Sequence, residues 1–154
     1  MPVNKESDKS STVETAESLY FEYQKNPELK DLRILYEGIN NEALEHGMSS
    51  IQPFGIFLKD GEEKVVGGVY GYYIYGCLHT DMLWLSKEMR HKGWGLKLMR
   101  ESEAIARVRK CKFATVNTMD WEALPFYQKL GYQVEFTREG YEMNSKMYCL
   151  RKKL

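Results

Sequence analysis

Cysteine pairs, surplus charge and long apolar runs are all missing from this chain, and each absence narrows what it can be. Its three cysteines, Cys77, Cys111 and Cys149, form no C-x-x-C pair. An odd count without that spacing argues against a disulfide scaffold and a structural zinc site, and for reduced thiols. The 22 basic and 22 acidic side chains cancel, so the chain has no global positive field of the kind that binds nucleic acid. No apolar run approaches the roughly 18 to 20 residues needed to span a bilayer. The N-terminus also lacks the basic-then-apolar order of a signal peptide. The expectation is a cytoplasmic protein with neither a nucleic-acid nor a membrane partner. Its 154 residues suffice for one continuous core without metals or disulfides.

What is present divides into a tail and one domain. Residues 1–17 are mostly Ser, Thr, Glu, Lys and Asp, with too few apolar groups to offset the entropy of ordering, so a disordered tail is expected. Residues 18–154 read as a single domain. Alternation of Leu19, Phe21 and Tyr23 predicts a first strand, and Asn26-Pro27 a helix start. Leu32, Leu35, Tyr36, Ile39 and Ala43 then fall at helical spacing, with a break near Gly38 and a stop at Gly47. Extended runs at 54–58 and 65–75 flank Lys59-Asp60-Gly61-Glu62, a hairpin signal, and a third run follows at 77–85. Leu98, Met99, Ser102, Ile105 and Ala106 mark a helix ending near Lys110, before a strand at 113–118. A short helix over 120–130 and strands at 132–137 and 146–150 complete the order. The expected fold is α/β, a mixed and mostly antiparallel sheet with helices on both faces and one parallel βαβ unit.

Arg90-His91-Lys92-Gly93-Trp94-Gly95 stands between the strand and the helix of that unit. A strand, a glycine-containing turn and a helix start present backbone amides to a phosphate. Gly93 and Gly95 would let chain and ligand approach closely, and Arg90, Lys92 and Lys97 add positive charge. A diphosphate-bearing ligand is one reading; an ordinary βα turn closed by glycine is the other.

The chain resembles the GNAT superfamily of N-acetyltransferases. The 90–95 segment matches that family's Q/R-x-x-G-x-G/A pyrophosphate loop. Ala123-Leu124-Pro125-Phe126-Tyr127-Gln128-Lys129-Leu130-Gly131-Tyr132 is similar to its later helix, A-x-x-F-Y-x-K-x-G-F/Y. The two motifs occur in the family's order, with a helix and a strand between them. The resemblance implies acetyl-CoA as acyl donor and direct attack on its thioester by an amine acceptor, within a sheet splayed around the acyl-CoA site. It leaves room for a homodimer.

Residue by residue, the resemblance implies that the amides of Arg90, His91, Lys92, Gly93, Trp94 and Gly95 hold the pyrophosphate. Leu83, Trp84 and Leu85 match the strand residues that pair with the pantetheine arm, and the Leu83 amide becomes the oxyanion donor. Donors of that kind contribute about 3 to 4 kcal/mol in other enzymes. Asn117 matches a position contacting the cofactor arm. Tyr127 matches the tyrosine that protonates the departing thiolate, the favoured reading; the alternative is an aromatic core residue beside Phe126.

A base for the acceptor amine is left open. His79 and Asp81 are candidates, and period-two alternation puts both on one strand face with Leu83. A water chain or an amine that arrives already neutral would serve instead. Tyr70, Tyr72, Tyr73 and Tyr75, with Trp84 and Trp121, suggest an aromatic wall suited to a cationic amine, or simply tyrosine-rich strands. A different class of function, a catalytically silent acyl-CoA-binding or regulatory module, would retain the loop without needing Tyr127.

Overall fold

A computed structural model describes residues 18–154; the tail expected over 1–17 lies outside the described residues. In chain order the elements are α1 (Leu29–Glu45), β1 (Gln52–Lys59), β2 (Val65–Ile74), β3 (Cys77–Leu85), α2 (Trp94–Val108), β4 (Phe113–Met119), α3 (Leu124–Lys129), β5 (Gln133–Arg138) and β6 (Met147–Lys153). The six strands form one sheet in the order β1-β2-β3-β4-β6-β5. Among the described residues, β3 and β4 are the only hydrogen-bonded neighbours that run parallel. Among the described residues, no helix is long and apolar enough to cross a membrane.

The hairpin between β1 and β2 follows from Asp60, whose carboxylate accepts from the Glu62 and Lys64 amides at 2.9 and 3.0 Å. The crossings from β3 through α2 to β4 and from β4 through α3 to β5 step the same way across the sheet. Right-handed connections therefore place α2 and α3 on one face. The core lies there, with Leu78, Val116 and Leu150 of the sheet against Met99, Ala106 and Tyr127. On the other face, Tyr36 of α1 reaches Tyr72.

Three expectations at the N-terminus change. Residues 18–24 form no strand, and Leu19, Phe21 and Tyr23 are almost fully exposed. Alternation creates a strand only where a neighbouring ladder accepts its amides and carbonyls, and none of the six sheet strands pairs with these residues. Asn26-Pro27 also precede the helix. Gln24 supplies the capping interaction instead, accepting from the Glu28 amide at 3.0 Å and donating to Asp31 at 2.6 Å. The helix is continuous through Gly38 and stops before Gly47, whose φ of 74° is the left-handed geometry of a helix terminator. Leu32, Tyr36 and Ala43 turn inward, while Leu35 and Ile39 remain exposed.

A buried carboxylate ties α2 to the far side of the sheet. Glu103, 2% exposed, accepts from Lys152 Nζ at 2.7 and 2.9 Å and from the Tyr132 hydroxyl at 3.2 Å. Arg107 Nη2 adds a longer contact at 3.4 Å, so the buried carboxylate is compensated from both α2 and β6 and holds these side chains in place. The Tyr132 ring in turn meets the Tyr127 ring edge-on, 5.9 Å between centroids.

One irregularity in β3 has large consequences. Tyr70 pairs with Met82 and Gly71 with Thr80, so Asp81 is an extra residue without a β2 partner. Residues directly opposite in an antiparallel pair share a face. Hence Leu78, Thr80 and Leu83 face α2 with Val69 and Tyr73, while His79 and Met82 face α1 with Tyr72 and Tyr70. The expected grouping of His79 with Leu83 is thereby corrected, because a bulge breaks strict alternation. Gly71 lies opposite this bulge, and a Cβ there would collide with the His79 carbonyl oxygen. Gly71→Ala is expected to lower stability by about 1 to 3 kcal/mol, the usual range for overpacking. Gly61→Ala, whose Cβ meets nothing within 4 Å, should stay within about 0.5 kcal/mol of the parent. Urea unfolding checks both, and equal midpoints for the two variants would contradict this account of the bulge.

Candidate active site

β3 pairs with β4 only from Cys77 to Thr80, against Phe113 to Val116. Beyond Thr80 the strands part, and residues 81–85 of β3 have no β4 partner in the sheet. A cleft of about 990 Å³ opens at this point, closed on its other sides by the loop before α2 and by the start of α3. Parallel strands that separate at their carboxyl ends make such a crevice, and the backbone groups left on the inner edge of β3 are available to an amide-bearing ligand.

The loop is held open by its own contacts. Arg90 Nε donates to the Leu85 carbonyl at 3.1 Å, and His91 and Gly93 adopt left-handed φ values of 58° and 84°. Gly93 is the N-cap of α2 and offers no side-chain cap, and the first turn of the helix carries no acidic residue. Its leading amides therefore point their donors at whatever enters the cleft. A Cβ on Gly93 would meet no protein atom within 4 Å, whereas one on Gly95 would lie 3.3 Å from the Phe126 ring. Gly93 thus leaves room beside the loop, and Gly95 lets α2 approach α3. Lys97 turns back over the Trp94 ring, 4.3 Å from its centroid.

The structure brings together most of the expected site. Leu83, Trp84, Leu85 and Asn117 line the cleft, as do Arg90, His91, Gly93, Trp94 and Gly95 from the loop. Lys92 is exposed and does not line it. Tyr127 lines the cleft while only 5% exposed. Burial, with a smaller contribution from the Glu122 carboxylate, pushes its pKa up to about 12. A phenol in this state keeps its proton at neutral pH.

The two candidate bases part company. Asp81, in the bulge, lines the cleft and is exposed. His79 does not line it; its Nδ1 lies 2.8 Å from the Thr115 hydroxyl and its ring stacks on Tyr72. Tyr70, Tyr72, Tyr73 and Tyr75 are likewise absent from the lining, whereas Trp84 and Trp121 belong to it. Other lining residues received no site role from sequence reasoning, Thr80, Glu122 and Phe126 among them. Glu122 accepts from the Met119 amide at 2.8 Å and the Thr118 hydroxyl at 3.1 Å, so it braces the turn into α3. A Thr and a Glu about one helical turn apart just before a helix are its only trace in the sequence.

Burial lowers the His79 pKa, and Asp81 opposes the shift only in part. The unfolded chain then takes up a proton more readily than the folded one, so this residue costs stability as pH falls through the ordinary histidine pKa of about 6.5. Between pH 7.5 and 5.5 the thermal midpoint of His79→Gln is expected to fall less than that of the parent. Parallel falls would show that His79 titrates freely.

Comparison with known proteins agrees with this geometry. Residues 53–134 match the family model described as Acetyltransferase (GNAT) domain. Blasticidin-S acetyltransferase of Streptomyces morookaense is 33% identical over 92 residues, 59% of this chain and 68% of that protein. An acetyltransferase from Bacillus cereus superposes with a TM-score of 0.69 at 24% identity, covering 88% of this chain and all (100%) of the other. A GNAT family acetyltransferase from Elizabethkingia anophelis, solved with acetyl-CoA bound, gives 0.58 at 16% identity over 86% of this chain and 95% of that one. With a family model covering more than half its length and a cleft built from that family's two motifs, the chain belongs to the GNAT acetyltransferases.

Proposed function

We propose that this chain transfers the acetyl group of acetyl-CoA directly to a primary amine of a small molecule or protein. One juxtaposition carries the reading: the uncapped N-terminus of α2 and the Tyr127 phenol line a single cleft. The first suits a diphosphate, the second a leaving thiolate, and a catalytically silent binding module would need only the first.

Acetyl-CoA is the acyl donor and supplies a thioester that a neutral amine attacks. The chain's own residues do the rest. Amides of the loop and of the first turn of α2, with Arg90, neutralise the diphosphate. The unpaired inner edge of β3 at Leu83, Trp84 and Leu85 receives the amide-bearing arm as a short added strand, with Asn117 on the opposite wall. The Leu83 amide meets the charge that builds on the carbonyl oxygen. Asp81 accepts the amine's proton, directly or through water, and Tyr127 donates its phenolic proton to sulfur as the carbon–sulfur bond breaks.

Tyr127→Phe is expected to lower kcat by about 10²-fold, the lower end of what a positioned acid contributes, while the acetyl-CoA Kd measured by calorimetry stays within about twofold. Unchanged turnover would remove Tyr127 from the chemistry. Because its pKa is pushed up to about 12, ionisation of this acid should not depress kcat in the parent as pH rises to about 10. A fall beginning near the ordinary tyrosine pKa would show the phenol to be solvated during turnover. Gly93→Val, which fills the room beside the loop and strains a left-handed position, is expected to abolish acetyl-CoA binding. Retained affinity would make this an ordinary turn.

A further inference from the structure

Thr80 is 1% exposed, lines the cleft, and has a hydroxyl with no hydrogen-bond partner among the described residues. A buried hydroxyl without a partner is costly, and one that persists in a packed strand calls for an explanation. Its surroundings narrow the choice. Thr80 is the last β3 residue paired with β4, opposite Val116, and sits immediately before the bulge. It shares a sheet face with Leu83, three residues later across the bulge. Both turn toward the core that contains Tyr127. Thr80 is therefore at the closed end of the cleft, where the strands first separate, and its sheet face is the one that Tyr127 packs against. At the other end, the diphosphate would lie against the start of α2. The sheet interior around Thr80 is apolar, formed by Leu78, Val69 and Val116, so an arriving carbonyl oxygen would find no competing donor among those side chains.

We propose, on the reading of this cleft as an acetyl-CoA site, that the Thr80 hydroxyl is a second donor to the thioester carbonyl oxygen, alongside the Leu83 amide. Its partner is then the acyl group itself. No bond is made or broken at Thr80; the hydroxyl keeps its proton and donates a hydrogen bond that strengthens as the carbonyl oxygen gains charge during amine attack. This assigns a catalytic contact to a side chain at the floor of the cleft, and it explains why threonine stands where valine would pack equally well. Free CoA has no carbonyl at this place, so the contact discriminates acyl-CoA from the CoA product.

Thr80→Val removes the hydroxyl at nearly constant shape. It should fold with an unchanged or higher thermal midpoint, since it deletes an unpartnered polar group. Titration of the full chain with acetyl-CoA and separately with CoA is expected to show CoA affinity within about twofold of the parent. Acetyl-CoA affinity should fall about three- to tenfold, the range for one neutral hydrogen bond. Thr80→Ser, which keeps the hydroxyl, should restore the parental ratio. An unchanged ratio of the two affinities in Thr80→Val would overturn the assignment, and so would equal losses for both ligands, which would mark a general packing role. Failure of the parent chain to bind either ligand would instead overturn the acetyl-CoA reading on which the assignment rests.

Discussion

The parting of β3 from β4 after Thr80 is the constraint on which the rest of this structure depends. Two parallel strands that stayed paired to their ends would bury the inner edge of β3 in a ladder and leave no crevice. The pairing stops after four residues of each strand, and the extra residue Asp81 re-aims the remainder of β3. The bulge moves Leu83 onto the face of α2 and α3, while His79 stays on the face of α1. A single inserted position thus decides which side chains can meet a ligand bound against α2 and which become part of the packing beneath α1.

Around the parting, rigidity and openness are divided between the two walls. Glu103, Lys152 and Tyr132 form a buried charged cluster joining α2, β6 and the start of β5, and the Tyr132 ring braces Tyr127. Removing water from that cluster makes each member depend on the others, which fixes the helix that presents the phenol. The loop before α2 is the opposite case. Left-handed His91 and Gly93 leave the helix without a cap, so its donors stay available. A conventional Ser or Asp cap at Gly93 would stabilise the helix and occupy the amides a phosphate needs.

The two motifs were legible in the sequence because each depends on short-range geometry. A glycine turn before a helix and an aromatic pair one turn before a glycine stop have the same meaning wherever the fold places them. Alternation, in contrast, misassigned Leu19, Phe21 and Tyr23, since strand formation needs a partner edge that a local pattern does not contain. It also misgrouped His79 with Leu83, because a bulge shifts the period by one residue without leaving a distinctive composition. Glu122 and Thr80 were passed over for a related reason: Thr and Glu near strand ends are common, and only the walls of the cleft distinguish these two.

By itself the sequence determined the order of elements from the first helix onward, the mixed sheet with one parallel unit, the phosphate-type loop at 90–95 and the tyrosine helix, because hydrophobic periodicity and turn chemistry are local properties of the chain. Tertiary structure alone decided that the loop and Tyr127 face one cleft and that Asp81 rather than His79 borders it. It likewise decided that the Thr80 hydroxyl is buried without a partner among the described residues. These are relations between residues distant in the chain, set by where β3 leaves β4 and by the register of one bulge, and no local pattern encodes them.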